Sequence, residues 1–159
     1  MKVIGIVGYK DSGKTTLTRA LAGELTARGH RVAVVKHTSH HIDVLGKDTA
    51  VLGEVADQVA IIAPQESAVF WKRPLSLDDV LAHVEADLVL VEGFKGERGY
   101  PRIACLRGLP DDADLFGDGI VAAIGPGEYA LDGVPLFDRN AVDAIAELVE
   151  TVCLRLGVG

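Results

Sequence analysis

Short apolar runs alternate with helix-length amphipathic segments along this chain. Val3 to Val7 is rich in β-branched residues and predicts a strand. From about Lys14 to Arg28, Leu17, Leu21 and Leu25 recur at spacing four, with Ala20 and Ala22 adding propensity, so a helix is expected there, closed by Gly29-His30. Val32 to Val35, Val59 to Ala63 and Leu88 to Val91 read as further buried strands, Ala68 to Trp71 as a short edge strand, and Arg102 to Leu106 and Ile120 to Ile124 as strand candidates. Thr49 to Asp57 reads as a short helix. Ser76 with Asp79 three residues on marks another helix start, running to about Glu85. Asp138 to Leu156 predicts a closing helix with Val142, Ile145, Leu148, Val149 and Val152 on one stripe. Strands apolar on both faces, alternating with helices, indicate an α/β fold with a mostly parallel central sheet and helices on both faces. No repeat or linker-like boundary interrupts it, so residues 1–159 are expected to form one domain.

Composition changes this picture by exclusion. At 159 residues and 48% apolar content the chain has enough material for a core, which disfavours disorder. A formal net charge of −7 argues against non-specific nucleic-acid binding. No apolar run approaches the length of a membrane helix, and the opening apolar stretch reads as a strand and not as a signal peptide. Cys105 and Cys153 form no CxxC or Cys-His pair and read as small buried hydrophobes in a reduced compartment, so a cytoplasmic protein without membrane or nucleic-acid partners is expected.

The strongest chemical signal follows the first strand. Gly8-Tyr9-Lys10-Asp11-Ser12-Gly13-Lys14-Thr15 fits G-x-x-x-x-G-K-[ST] and opens a helix. Gly8 and Gly13 permit backbone dihedrals that turn successive N–H groups toward a phosphate, and the helix N-terminus adds partial positive charge at the same place. Lys14 supplies a full charge for the β- and γ-phosphates, Thr15 a hydroxyl for Mg²⁺, and Thr16 a contact near the α-phosphate. Glu92, delivered by the apolar strand at the edge where open α/β sheets bind ligands, is the candidate acidic member of the metal site. Gly93 to Arg98 forms a basic loop beside it, in which Lys95 or Arg98 could touch phosphates or an anionic partner ligand, or stand in solvent.

Lys36-His37-Thr38-Ser39-His40-His41-Ile42-Asp43 follows the second strand. Its His and Asp could ligate a transition metal, orient a substrate, or form a plain polar loop; the spacing matches no closed zinc site. Cys105 reads as core. The acidic run Asp111, Asp112, Asp114 and Asp118 reads as a solvated loop, since it lacks the spacing of a Ca²⁺ loop.

Taken in order, the Gly8 to Thr15 turn, Lys36-His37-x-x-His40-x-x-Asp43, Gly46-Lys47-Asp48 and Leu90-Val91-Glu92-Gly93-Phe94-Lys95 resemble the molybdopterin-guanine dinucleotide biosynthesis protein B (MobB) family. The resemblance covers most of the chain. It implies a P-loop GTPase fold, GTP with Mg²⁺, a homodimer, and partnership with the guanylyltransferase that attaches GMP to molybdenum-bound molybdopterin. Carried over by position, it implies nucleotide binding by Gly8, Lys10, Asp11, Ser12, Gly13, Lys14, Thr15 and Thr16. The metal would lie near Thr15, Asp43 and Glu92, with Lys36, His37, His40, Lys47 and Lys95 on an effector-side loop. Where relatives carry Pro before Gly-Lys-Asp this chain has Leu45, and Gly53 and Ala56-Asp57 replace an Arg and an Ala-Gly pair of the following helix.

No water-orienting Gln or arginine finger is identifiable, so weak intrinsic GTPase activity that a partner would raise is expected. No Asn-Lys-x-Asp guanine motif is present. Gly125-Pro126-Gly127-Glu128 is the candidate base-side loop, with Asp138 the weaker choice, and guanine preference rests on the resemblance. Two other classes remain open: a small-molecule kinase or ATP-dependent synthetase using His37 or Asp43 as base, and a metal-delivery GTPase using His37, His40 and His41.

Overall fold

A computed structural model describes residues 1–40, 42, 46–126 and 133–155. The elements run β1 (Lys2–Gly8), α1 (Lys14–Ala27), β2 (Val32–Lys36), α2 (Asp48–Leu52), β3 (Gln58–Ile62), β4 (Ser67–Trp71), α3 (Leu77–Leu81), β5 (Leu88–Glu92), β6 (Arg102–Cys105), a 3-10 helix (Pro110–Leu115), β7 (Ile120–Ile124), β8 (Leu136–Phe137) and α4 (Val142–Arg155). They divide into two compact units, residues 1–37 with 85–159 and residues 38–84.

The first unit is built on a six-stranded sheet in the order β2-β5-β1-β6-β7-β8, parallel throughout. Alternation along β1 explains its two cores. Ile4 and Ile6 point to the face covered by α1 and α4, where they join Leu17, Leu21, Leu25, Leu90, Ile103, Ile145 and Val149, all buried. Val7 points to the other face and packs with Ala104, Leu106, Ala123 and Leu115 of the 3-10 helix. Each fully buried Leu or Ile contributes on the order of 1.5–3 kcal/mol, so the spacing-four leucines of α1 fix that helix against the sheet. Its C-terminus then carries Arg28, bonded to Glu24, Asp143 and Glu150.

The second unit contains β3 and β4 as a separate antiparallel hairpin, so the apolar run from Val59 is not a strand of the central sheet. An apolar pentapeptide cannot say which sheet it joins. Ser76 accepts the Asp79 N–H while the Asp79 carboxylate accepts the Ser76 N–H, the expected capping box, but α3 ends at Leu81. The closing helix also starts later than the periodicity suggests: Asp138 accepts the Asn140 N–H in a turn, and α4 begins at Val142.

One expectation fails on burial. Asp112 is not solvated but fully buried, and its Oδ2 accepts N–H bonds from Arg107, Gly108 and Leu109 at 2.7, 2.8 and 3.1 Å. It ties down the turn that leads into the 3-10 helix. Burial pushes its carboxyl upward, but those three amides and the Arg107 guanidinium outweigh that and hold it below the usual carboxylate range.

Candidate phosphate and metal site

β1 ends at Gly8 and α1 starts at Lys14, so the phosphate-binding pattern occupies the turn between a buried strand and a core helix. Gly13 holds φ +86°, a left-handed conformation closed to most side chains, and Asp11 adopts φ +61°. The helix it opens has no capping side chain and no acidic residue in its first turn. Its first N–H groups have no intrahelical partner by geometry, so the turn presents them to an external anion. Lys14 Nζ donates to the Tyr9 carbonyl at 2.5 Å, which folds the ammonium over the loop. Ser12 is 1% exposed and its hydroxyl is an unpartnered buried group. Such a chemistry suits a polyphosphate, and the loop residues fit it.

β5 supplies the acid. Glu92 pairs in register with Lys36 of β2 and with Ile6 of β1, and is 5% exposed. Thr15 Oγ1 donates to Glu92 Oε1 at 2.8 Å, and Lys36 Nζ lies 3.0 Å from the same oxygen. Burial raises the Glu92 carboxyl. The hydrogen bonds from Thr15 and Lys36, with the Lys36 charge, overcome it and keep the group on the low side of its ordinary value. An ionised carboxylate beside a threonine hydroxyl is a donor pair suited to a hard divalent cation.

The register also explains why two distant motifs belong together. Lys36 and Glu92 are neighbours in the sheet, and the His37 N–H continues the ladder to the Glu92 carbonyl at 2.9 Å. A Cβ on Gly93 would stand 3.1 Å from the His37 Cβ, at a backbone φ of +100°. Only glycine suits that point, after which Phe94 packs on the His37 imidazole with centroids 4.6 Å apart. Lys95 follows, its ammonium 3.4 Å from the centroid of the Tyr9 ring in the phosphate loop. Burial, then repulsion from Lys14 and Arg107, lowers the Lys95 ammonium.

The structure therefore gathers Lys14, Thr15, Lys36, His37, Glu92 and Lys95 in the first unit. His40 and Lys47 belong to the second unit, where the His40 N–H donates to Thr38 and Lys47 precedes α2. Asp43, His41, Leu45, Gly127 and Glu128 lie outside the described residues, as does the Cys153 side chain. Among the described residues no three His, Cys, Asp or Glu side chains are grouped to hold a metal. Cys105 is core, as expected, and its thiol is pushed up to about 12 by burial.

Two residues carried no motif signal. Arg139, following β8, donates to the carbonyls of Ser12 at 3.0 Å and Leu106 at 2.5 Å, and so holds the phosphate loop from behind. With Asn140 and Thr16 it lines a cavity of about 210 Å³ beside α1. Tyr9, an unspecified position of the motif, stacks with both Lys95 and Arg107. A short Asp-Arg-Asn segment before an amphipathic helix was the only trace of the first.

Comparison with known proteins shows the family of this chain. The family model described as molybdopterin guanine dinucleotide synthesis protein B matches residues 3–124. A molybdopterin-guanine dinucleotide biosynthesis adapter protein of Haemophilus influenzae is 43% identical, over 93% of this chain and 87% of its own length. A protein of Methanocaldococcus jannaschii, described as a putative adapter of the same kind, is 34% identical over 84% of this chain; the chain spans only 59% of that relative's length. The crystal structure of a MobB protein homolog from Bacillus stearothermophilus superposes with a TM-score of 0.73 at 33% identity, covering 95% of this chain and 99% of the other. On these matches the chain belongs to the MobB family, and its fold is that of those structures.

Proposed function

We propose that this protein is an adapter in molybdopterin guanine dinucleotide synthesis, as the names of its relatives suggest, and that it binds GTP and works as a homodimer beside a guanylyltransferase, as the sequence resemblance implies. The observation that carries the nucleotide reading is the Thr15–Glu92 contact at 2.8 Å under an uncapped helix N-terminus. In this reading the amides from Gly13 to Thr16 and the Lys14 ammonium receive the phosphates, and Thr15 and Glu92 would hold Mg²⁺. Bound Mg²⁺ would neutralise charge between the β- and γ-phosphates. Lys36 would then exchange Glu92 for a phosphate oxygen. The sequence supplies charge and positioning without an identifiable residue to orient water, so hydrolysis would be slow without a partner.

Calorimetric titration of GTP and ATP, with and without Mg²⁺, tests this. Wild type should prefer GTP, and Glu92→Gln should lose about tenfold in affinity only when Mg²⁺ is present. Equal loss with and without the cation would remove Glu92 from the metal site. Binding of ATP in preference to GTP would move the protein to another nucleotide chemistry.

A further inference from the structure

The charge distribution behind the phosphate loop is not accounted for by a nucleotide. Arg102 is 2% exposed and lies on the sheet face opposite α1 and α4, beside Gly5, where a Cβ would stand 3.0 Å from its Cγ. Its guanidinium donates to two carbonyls, Lys95 at 3.3 Å and Asp118 at 2.5 Å, and its Nε is buried without a partner. Among the described residues no carboxylate forms an ion pair with it. A buried cation held only by carbonyls is costly, because neutral dipoles replace less of its hydration than an anion would.

Arg102 is also not alone. It lines a cavity of about 80 Å³ together with Lys95, Arg98, Tyr9 and Asp114. Neither Lys95 nor Arg98 forms an ion pair with a described residue. The one acid, Asp114, faces the Tyr9 hydroxyl at 3.5 Å. Three cations and one carboxylate thus surround a space suited to a single small anion, in a protein that is acidic overall. Arg107, the next guanidinium along, shows the contrast: it is bonded to both Asp111 and Asp112.

We propose that this cavity is a second anion site, lined by none of the residues Gly13 to Thr16, that receives one phosphate group, with Arg102 as its buried anchor and Lys95 and Arg98 at its rim. A guanidinium with several unused N–H donors matches a tetrahedral oxyanion, which can accept from it in pairs. The group would come either from free inorganic phosphate or from the end of an organic phosphomonoester. The site stands on Arg102 and its neighbours and does not require that the loop bind GTP.

Titrations in phosphate-free, low-salt buffer separate the cases, using inorganic phosphate and glycerol 3-phosphate as probes. Lys14→Ala removes the loop's charge and should retain one phosphate-binding event. Arg102→Gln should lose about tenfold or more in that event while its nucleotide titration matches wild type. Arg98→Gln, at an exposed position that does not threaten folding, should weaken it several-fold. Tighter binding of the ester identifies an organic phosphate as the occupant; tighter binding of inorganic phosphate identifies the free ion. The proposal is overturned if Lys14→Ala abolishes all phosphate binding, or if folded Arg98→Gln and Arg102→Gln both bind as wild type does.

Discussion

Two arginines mark the ends of α1 and are treated in opposite ways. Arg28, at the C-terminal end, bonds to three carboxylates, Glu24, Asp143 and Glu150, and Glu150 also takes His30 at 2.8 Å. A cation there complements the helix dipole, and its partners complete the charge balance. Arg139, at the N-terminal end, donates to the carbonyls of Ser12 and Leu106 and forms no ion pair among the described residues. Together with Lys14 it adds positive charge to a helix end that is already positive. One end is saturated, while the other is left electrostatically incomplete, as the proposed nucleotide site requires. The same distinction separates Arg31, paired with Asp87 at 2.9 Å, from Arg102.

If that contrast is right, substitutions at the two ends should dissociate binding from stability. The largest effect is expected for Lys14→Ala: about a 100-fold loss of Mg–GTP affinity by calorimetry, with no fall in melting temperature, since no carboxylate loses a partner. A marked loss of stability would show that Lys14 holds the fold. Next is Arg139→Ala, which frees the Ser12 carbonyl. It should cost about tenfold in nucleotide affinity and leave the Arg28 cluster intact, and an unchanged affinity would show that the loop holds its shape unaided.

The smallest effect belongs to the saturated end. The Glu150 carboxyl is held low, chiefly by the hydrogen bond from His30, against burial and with help from Arg28. Its ionised form is therefore favoured in the fold. That contribution is complete above the unfolded value near 4.5 and is lost as the pH falls through the lower folded value. Melting curves of Glu150→Gln should lie modestly below wild type at neutral pH and converge with it in acid, with GTP binding unaltered. Parallel curves at every pH would show that the charge of Glu150 is irrelevant.

Much of the first unit could be read from local pattern. The β-branched run at Val3, the leucines of α1 and the stripe on α4 each encode their own burial, because amphipathic period follows directly from backbone geometry. Glu92 was legible for a similar reason, as a charge at the end of an apolar strand. Asp112 was not: its value lies in three amides that converge on it, and a spacing of aspartates does not reveal which one turns inward. The hairpin of β3 and β4 escaped as well, since the composition of a short apolar strand is silent about its pairing partner.

By itself, then, the chain's order of residues determined the strand–turn–helix at Gly8 to Thr15, the leucine face behind it and the family to which they belong. These are properties of neighbours in sequence, set by dihedral preference and periodicity. Only the tertiary structure decided that Lys36 stands beside Glu92, that Arg139 reaches back to Ser12, and that Arg102 is buried without a counter-charge among the described residues. Those contacts join residues from 7 to 127 positions apart. Parallel pairing and the packing of loops bring them together, and the electrostatic character of the site depends on which charges that packing leaves unpaired.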